Sequence, residues 1–536
     1  MKKLSMLSLL ALLFLTIAVK AQSQSSNESP RVKTDKGVVQ GIDDSGVYIF
    51  KGIPFAQPPV GNLRWKPPQP AKSWNGVLKA THFGNGCMQR PIFSDMKFRF
   101  PKKSEDCLYL NVWSPVKPSK AKSEHLPVLV YFYGGGFQAG DGSEYRYDGE
   151  SMARNKKIVT VTANYRLNVF GFLAYPGLTK ESPHHASGDY GLMDQVQVLR
   201  WVKENIAAFG GDPNKVTIDG ESAGSMSVSG LMASPLSRNL FRGAVGESGG
   251  LFGPLTPTPL NKAEQMGKKF AQMVGAHSLK QLRNMSASKL LQATGRKNAP
   301  YFSADVDGYF LPQTPEKIFA AGKQAHVPLL VGWNSEEMGY RAFMNGNKLS
   351  PQNFIQAVKK VYGKHANKIL KLFPHSNKQE VKKSATHLAS DRFTVFSTWK
   401  WAEMQSKTSN TPVYRYYYSR PRPKKRGNAS RKSSRAYGAV HSAEIEYVMG
   451  NLPTNRVYDW QPGDYKVSHI FQDFVSNFVK TGSPNGQDGL GLPTWLPLNK
   501  GNKHYVMHID VNTRLQTSEQ RKQLLYLDQL YSQQNQ

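Results

Sequence analysis

The chain has 536 residues, with 70 Lys and Arg against 38 Asp and Glu, a formal charge of +32 and a pI near 9.8. That length suffices for a large core, in one big α/β domain or two smaller ones. The positive field would draw nucleic acid, an anionic polymer, an anionic surface or an acidic small molecule. No zinc-finger, basic-zipper or aromatic RNA-binding motif accompanies it, so nucleic acid is not an expected partner.

The N-terminus begins with the basic Met1-Lys2-Lys3, continues through an apolar stretch from Leu4 to Val19 and reaches small residues at Val19-Lys20-Ala21. This is the pattern of a secretory signal peptide over residues 1–21, too short in its apolar part for a membrane span. The polar stretch 22–32 is expected to be disordered, and residues 33–536 to form one domain with insertions. No second apolar run is long enough to cross a membrane, so no transmembrane segment is expected. The two cysteines, Cys87 and Cys107, are expected to form a disulfide in an exported chain. Closing a loop of 20 positions would stabilise the fold by roughly 3 kcal/mol. No His or Cys cluster suggests a metal.

Strand-like runs then alternate with helical ones, which predicts an α/β fold on a mostly parallel sheet flanked by helices. Strands are expected at Val128–Tyr133, Ile158–Val161, Val216–Ile218, Val327–Val331 and Val413–Tyr418, and a helix from Asp194 to Ala208. Residues 350–408 are lysine-rich with helical spacing and read as a helical insertion.

The most informative segment is Gly220-Glu221-Ser222-Ala223-Gly224. It fits G-x-S-x-G, the nucleophile elbow of α/β-hydrolases, in which a serine sits on a sharp strand-to-helix turn. Glycines flank it because a Cβ would crowd so tight a backbone. A serine hydroxyl needs a histidine base, an acid to orient that base and N–H donors for the oxyanion. Gly134-Gly135-Gly136, directly after a strand, and the amide of Ala223 are the candidate donors. The fold's chain order of Ser, acid, His leaves nine histidines after Ser222. His441, in the small-residue loop Tyr437-Gly438-Ala439-Val440, stands out, while His365, His375 and His387 read as surface residues of the insertion. For the acid, Glu336 and Glu337 follow a strand; Asp305, Asp307 and Asp391 compete.

Further motifs accompany the elbow. Phe50-Lys51-Gly52-Ile53-Pro54-Phe55-Ala56-Gln57-Pro58-Pro59-Val60-Gly61, Glu105-Asp106-Cys107-Leu108-Tyr109-Leu110-Asn111-Val112, Phe209-Gly210-Gly211-Asp212-Pro213, Glu247-Ser248-Gly249-Gly250 and Thr481-Gly482-Ser483-Pro484-Asn485 occur in order. With these motifs, residues 33 to 515 resemble the type-B carboxylesterases of the carboxylesterase/cholinesterase family. The resemblance implies a secreted serine carboxylesterase acting on small-molecule esters through an acyl-enzyme, with no cofactor. It places the triad on Ser222, Glu337 and His441 and the oxyanion hole on Gly135, Gly136 and Ala223. It also implies a Cys87–Cys107 disulfide and a supporting role for Ser248.

The chain departs from the family at Met338, where a glycine often follows the acid, and at Asp189, where Asn is common. The 87–107 segment carries Phe93, Phe98 and Phe100 but no tryptophan, and adds Lys97, Arg99, Lys102 and Lys103. A cationic choline ester is therefore disfavoured. Residues 415–435 hold nine basic residues and no acidic one, ending six positions before His441. That stretch reads as a solvated loop, as a contact for an anionic surface or polymer, or as an entrance that favours anionic esters. The alternative function is that of a non-catalytic binding or adhesion relative; such relatives typically lack the serine, which this chain retains.

Overall fold

The structure, a computed structural model, describes residues 29–427, 438–486, 491–498, 504–518 and 520–534. Residues 1–21, read as a signal peptide, lie outside the described residues. So does residue 22–28 of the stretch expected to be disordered. The end of that stretch is ordered instead: Arg31–Lys33 pairs antiparallel with Val38–Gln40. Alternation places Val32 in the core between two exposed basic residues, and its burial holds the segment down.

The main sheet has eleven strands. In chain order they are β1 (Ile42–Asp44), β2 (Val47–Pro54), β3 (Tyr109–Ser114), β4 (Leu126–Phe132), β5 (Val159–Ala163) and β6 (Gly211–Gly220). There follow β7 (Gly243–Glu247), β8 (Leu329–Asn334), β9 (Val413–Tyr418), β10 (Tyr505–Ile509) and β11 (Arg514–Thr517). Their spatial order is β11-β10-β9-β8-β7-β6-β4-β5-β3-β2-β1. The strands from β10 to β5 are parallel, and antiparallel strands close both edges. The sequence explains this arrangement. Val128–Phe132, Val159–Ala163, Gly243–Glu247 and Leu329–Asn334 are buried at every position, which requires cover on both faces and suits parallel strands joined by helices.

The longer helices used below are α1 (Tyr190–Asn205), α2 (Ala223–Ala233), α3 (Pro351–Tyr362), α4 (Ala366–Leu372), α5 (Lys378–Ser390), α6 (Phe396–Thr408), α7 (Pro462–Thr481) and α8 (Arg521–Gln534). The sequence marks several ends. Ser350 caps α3 by accepting from the Asn353 amide, and Asn377 caps α5 by accepting from Gln379 and Glu380. Gly482 ends α7 with φ of 79°. Among the described residues no helix is long and apolar enough to cross a membrane.

The chain runs outward from β4 to β5, then crosses back to lay β6 on the other side of β4. Ligands of such sheets bind where the strand order reverses, at the carboxyl ends. Here those ends carry Gly134–Gly136 after β4 and Ser222 after β6. The helical insertion, α3 to α6, builds a second core with Trp333 of β8 and with Leu524, Leu527 and Leu530 of α8. The C-terminal helix thus clamps the insertion beside the strand that leads to Glu337. Leu527→Ala should destabilise the protein by about 2–5 kcal/mol, read as a lower denaturation midpoint at unchanged slope; an unchanged midpoint would show that α8 does not support the insertion.

Candidate active site

Ser222 sits between β6 and α2 with φ 58° and ψ −120°, a conformation that L-residues rarely adopt. The turn holds because neighbouring backbones close on it. A Cβ at Gly224 would lie 1.9 Å from the Phe132 carbonyl oxygen, and one at Gly220 would lie 2.5 Å from the Gly224 carbonyl carbon. The Ser222 amide donates to the Glu247 carbonyl (2.8 Å), and the Met226 amide donates to the Ser222 carbonyl (2.9 Å), which starts α2. The helix therefore aims its free N–H groups at the serine side chain.

The serine, histidine and acid lie on one hydrogen-bonded line. His441 Nε2 is 2.9 Å from Ser222 Oγ, and His441 Nδ1 is 2.6 Å from Glu337 Oε2. The other oxygen of Glu337 accepts from Ser248 Oγ (2.6 Å) and from the Asn334 amide (2.5 Å). Ser248 also reaches Glu444 (3.2 Å), which accepts from the Asn334 side chain. Backbone pairing between Glu336 and Val440 carries the two loops side by side. This separates the adjacent glutamates: Glu336 supplies backbone, and Glu337 turns its side chain inward. A π-turn, Asp391–Val395, joins α5 to α6 and sets the Phe393 ring edge-on to His441, 4.8 Å between centroids.

The glycines after β4 are equally constrained. Gly135 has φ 109° and a Cβ there would meet the Ala139 carbonyl oxygen at 2.1 Å; Gly136 has φ 62°. The Tyr301 hydroxyl and Gln138 Nε2 both donate to the Gly136 carbonyl, which fixes its peptide plane. Among the described residues the amides of Gly135, Gly136 and Ala223 donate to no backbone carbonyl.

Other expected features are placed as follows. Cys87 and Cys107 are joined by a disulfide, with 5.0 Å between Cα atoms. Met338 packs against the second core and its amide donates to Ser390 Oγ of α5. Asp189 is buried beside Asp305, whose amide it accepts at 3.1 Å. His365, His375 and His387 are half-buried rather than on the open surface, because the helices of the insertion pack on each other; burial pushes His387 down to about 4. In the basic stretch, Arg415 is 1% exposed near Glu403 (3.9 Å), Arg420 pairs with Asp464 (2.7 Å) and Arg422 with Glu446 (2.8 Å). Residues 428–435 of that stretch lie outside the described residues. Sequence reading missed Glu221, Phe393 and Tyr301 as site neighbours. Glu221 was detectable from its place beside the serine; the other two carry no local signal.

Five buried carboxyls, Asp219, Glu221, Glu247, Glu337 and Glu444, lie beneath the serine and histidine. Burial alone would lower the His441 pKa, but Glu221, whose Oε1 is 3.2 Å from Nε2, together with Glu337 and Glu444, raises it to about 9. Burial pushes Asp219 up to about 7, Glu221 to about 8 and Glu444 to about 7. Burial and then the neighbouring Asp219 push Glu247 well above the carboxylate range, which favours its protonated form. An unfolded glutamic acid titrates at about 4.3. Between that pH and its folded pKa, a raised carboxyl holds a proton only in the folded state, so its contribution to stability is lost as pH rises. Glu247→Gln, which needs no proton, should therefore make the decline of Tm between roughly pH 5 and 8 shallower than in wild type. A parallel decline would mean that Glu247 is ionised in the folded protein.

The carboxylesterase family profile matches residues 28–526. The para-nitrobenzyl esterase of Bacillus subtilis (strain 168) is 35% identical over 471 residues, covering 85% of this chain and 90% of the relative. The fumonisin B1 esterase of Sphingopyxis macrogoltabida is 34% identical over 453 residues, covering 82% and 78%. A solved PNB esterase superposes with a TM-score of 0.76 at 32% identity, covering 93% of this chain and 100% of that one. On this fold, with this profile over nearly its whole length, the chain belongs to the carboxylesterase family and is a carboxylic ester hydrolase with an α/β-hydrolase fold.

Proposed function

We propose that the chain is an exported serine carboxylesterase, with residues 33–536 as one catalytic unit, working through an acyl-enzyme on Ser222. The observation that carries this reading is the unbroken line from Ser222 Oγ through His441 to Glu337, set on a strained turn. His441 Nε2 takes the hydroxyl proton as Oγ attacks the ester carbonyl. The Glu337 carboxylate orients the ring and stabilises the imidazolium. The amides of Gly135, Gly136 and Ala223 receive the oxyanion; losing one such donor typically costs about 3 kcal/mol. His441 returns the proton to the leaving alcohol. Water then repeats the attack, and Ser222 recovers its proton as the acid departs.

The N-terminal pattern and the disulfide support export. Three features support a preference for aromatic or anionic esters. Phe393 lies against the base, and one relative is named for a para-nitrobenzyl ester. The chain's charge of +32 favours negatively charged substrates.

Ser222→Ala should lower kcat for 4-nitrophenyl butanoate by roughly 10⁴- to 10⁶-fold. Mass spectrometry of wild-type enzyme quenched during turnover should find the butanoyl group on the Ser222 peptide. Wild-type-like hydrolysis by the variant would sink the scheme. The base must be neutral to act, so kcat/KM should rise with pH up to about 9. Glu221→Gln removes a carboxylate from beside Nε2 and should move that limb down by roughly 1 pH unit or more. An unmoved limb would show that Glu221 does not set the base.

A further inference from the structure

Gly134-Gly135-Gly136 gives the loop after β4 no side chain with which to pack, so its shape depends on what its peptide groups bind. The Gly135 carbonyl is held locally, by the Gln138 amide (3.0 Å) and the Ala139 amide (3.2 Å). The Gly136 carbonyl is held from farther away. Among the described residues no backbone amide donates to it, and its donors are two side chains, the Tyr301 hydroxyl and Gln138 Nε2. Gln138 is shared: its Nε2 is 3.4 Å from the Gly136 carbonyl but 2.6 Å from that of Phe302. Tyr301 is therefore the closer tie, and it comes from 165 positions along the chain.

The segment that carries Tyr301 is anchored on its inner side. Phe302 is buried and meets Phe270 of the helix Leu260–Val274 edge to face, 5.3 Å between centroids. Asp305–Val306 pairs with Thr258–Pro259, and the Asp305 amide donates to Asp189 (3.1 Å). Tyr301 itself is 57% exposed, so burial of its ring does not account for where it stands. Its hydroxyl lies directly over the glycine: a Cβ at Gly136 would be 2.6 Å from Tyr301 Oη. We infer that Tyr301 is a positioning residue for the oxyanion hole. By holding the carbonyl of a residue that has no Cβ to restrict it, Tyr301 fixes the Gly136 backbone and with it the direction of the Gly136 amide. The inference rests on the reading of Ser222 as nucleophile and Gly136 as oxyanion donor, and adds to that reading a residue from outside the loop. Acylation and deacylation both pass through an oxyanion, so a misdirected amide lowers kcat whichever step is slower.

Tyr301→Phe removes only the hydroxyl and, at so exposed a position, should leave Tm unchanged. Deleting a whole oxyanion donor lowers kcat by roughly 10²- to 10³-fold. Loosening one should cost less: kcat for 4-nitrophenyl butanoate should fall roughly tenfold, with KM changed less than about twofold. A pair of inhibitors separates positioning from ordinary binding. Trifluoromethyl hexyl ketone accepts Ser222 Oγ at its carbonyl carbon; the C=O π pair moves to oxygen as an alkoxide, and His441 takes the hydroxyl proton. Its Ki therefore reads the oxyanion hole, whereas methyl hexyl ketone, which stays a ketone, reads the ground state. In Tyr301→Phe the Ki of the fluorinated ketone should rise roughly tenfold and that of methyl hexyl ketone less than about twofold. An unchanged kcat with an unchanged Ki for the fluorinated ketone would overturn the inference. Equal rises in both Ki values, or a change in KM alone, would overturn it too, since they report lost substrate contact or general loosening rather than a displaced amide. Failure of the fluorinated ketone to inhibit wild type, or full hydrolysis by Ser222→Ala, would instead overturn the nucleophile and this inference with it.

Discussion

The turn at Ser222 is the constraint on which the site depends. β6 must end, reverse and enter α2 within a few residues while pressed against the end of β4. The Phe132 carbonyl oxygen occupies the space that any side chain at position 224 would need. That contact brings the serine and the glycines after β4 into the same crevice. It also forces Ser222 into a backbone conformation that only surrounding structure can maintain. The Glu247 carbonyl, at the end of the next parallel strand, holds the serine amide from the other side. Ser222 is thus held in place because three adjacent strand ends meet there.

The histidine and acid are set by longer-range packing. Glu337 lies just beyond β8, but its loop is tied to α5 through Met338 and Ser390, and to the histidine loop through the Glu336–Val440 pairing. The second core, under α3 to α6 and clamped by α8, supports that loop and delivers Phe393 to the histidine ring. The insertion therefore supports the Ser222–His441–Glu337 line, although it stands outside the central sheet.

Charge is segregated in this protein. The net charge is strongly positive, yet the space under Ser222 and His441 is filled with carboxyls. Burial raises the pKa of Asp219, Glu221, Glu247 and Glu444, which favours their neutral forms and limits repulsion among groups that share one small volume. Those nearest the imidazole raise its pKa to about 9, so His441 needs a higher pH to lose its proton. Several arginines of the basic stretch are also internal, bound to Glu403, Asp464 and Glu446. Arg420 and Arg422 tie the segment before His441 to α7 and to the segment after His441.

By itself the sequence determined the strand runs, the elbow with its two glycines, the glycine loop after β4 and the ordered motifs that mark the family. These are local: each depends on side-chain size, backbone freedom or short-range periodicity, and each is written in consecutive residues. Pattern alone could not choose between Glu336 and Glu337, since neighbouring residues on a loop differ only in which way the backbone turns them. The tertiary structure made that choice by pairing the Glu336 backbone with Val440. It also decided that Phe393, Tyr301 and Glu444 meet the site, that half-buried histidines fill the insertion, and that Arg415, Arg420 and Arg422 are already neutralised. Those outcomes depend on which distant segments come into contact and on the burial that results, and neither is encoded in any one stretch of chain.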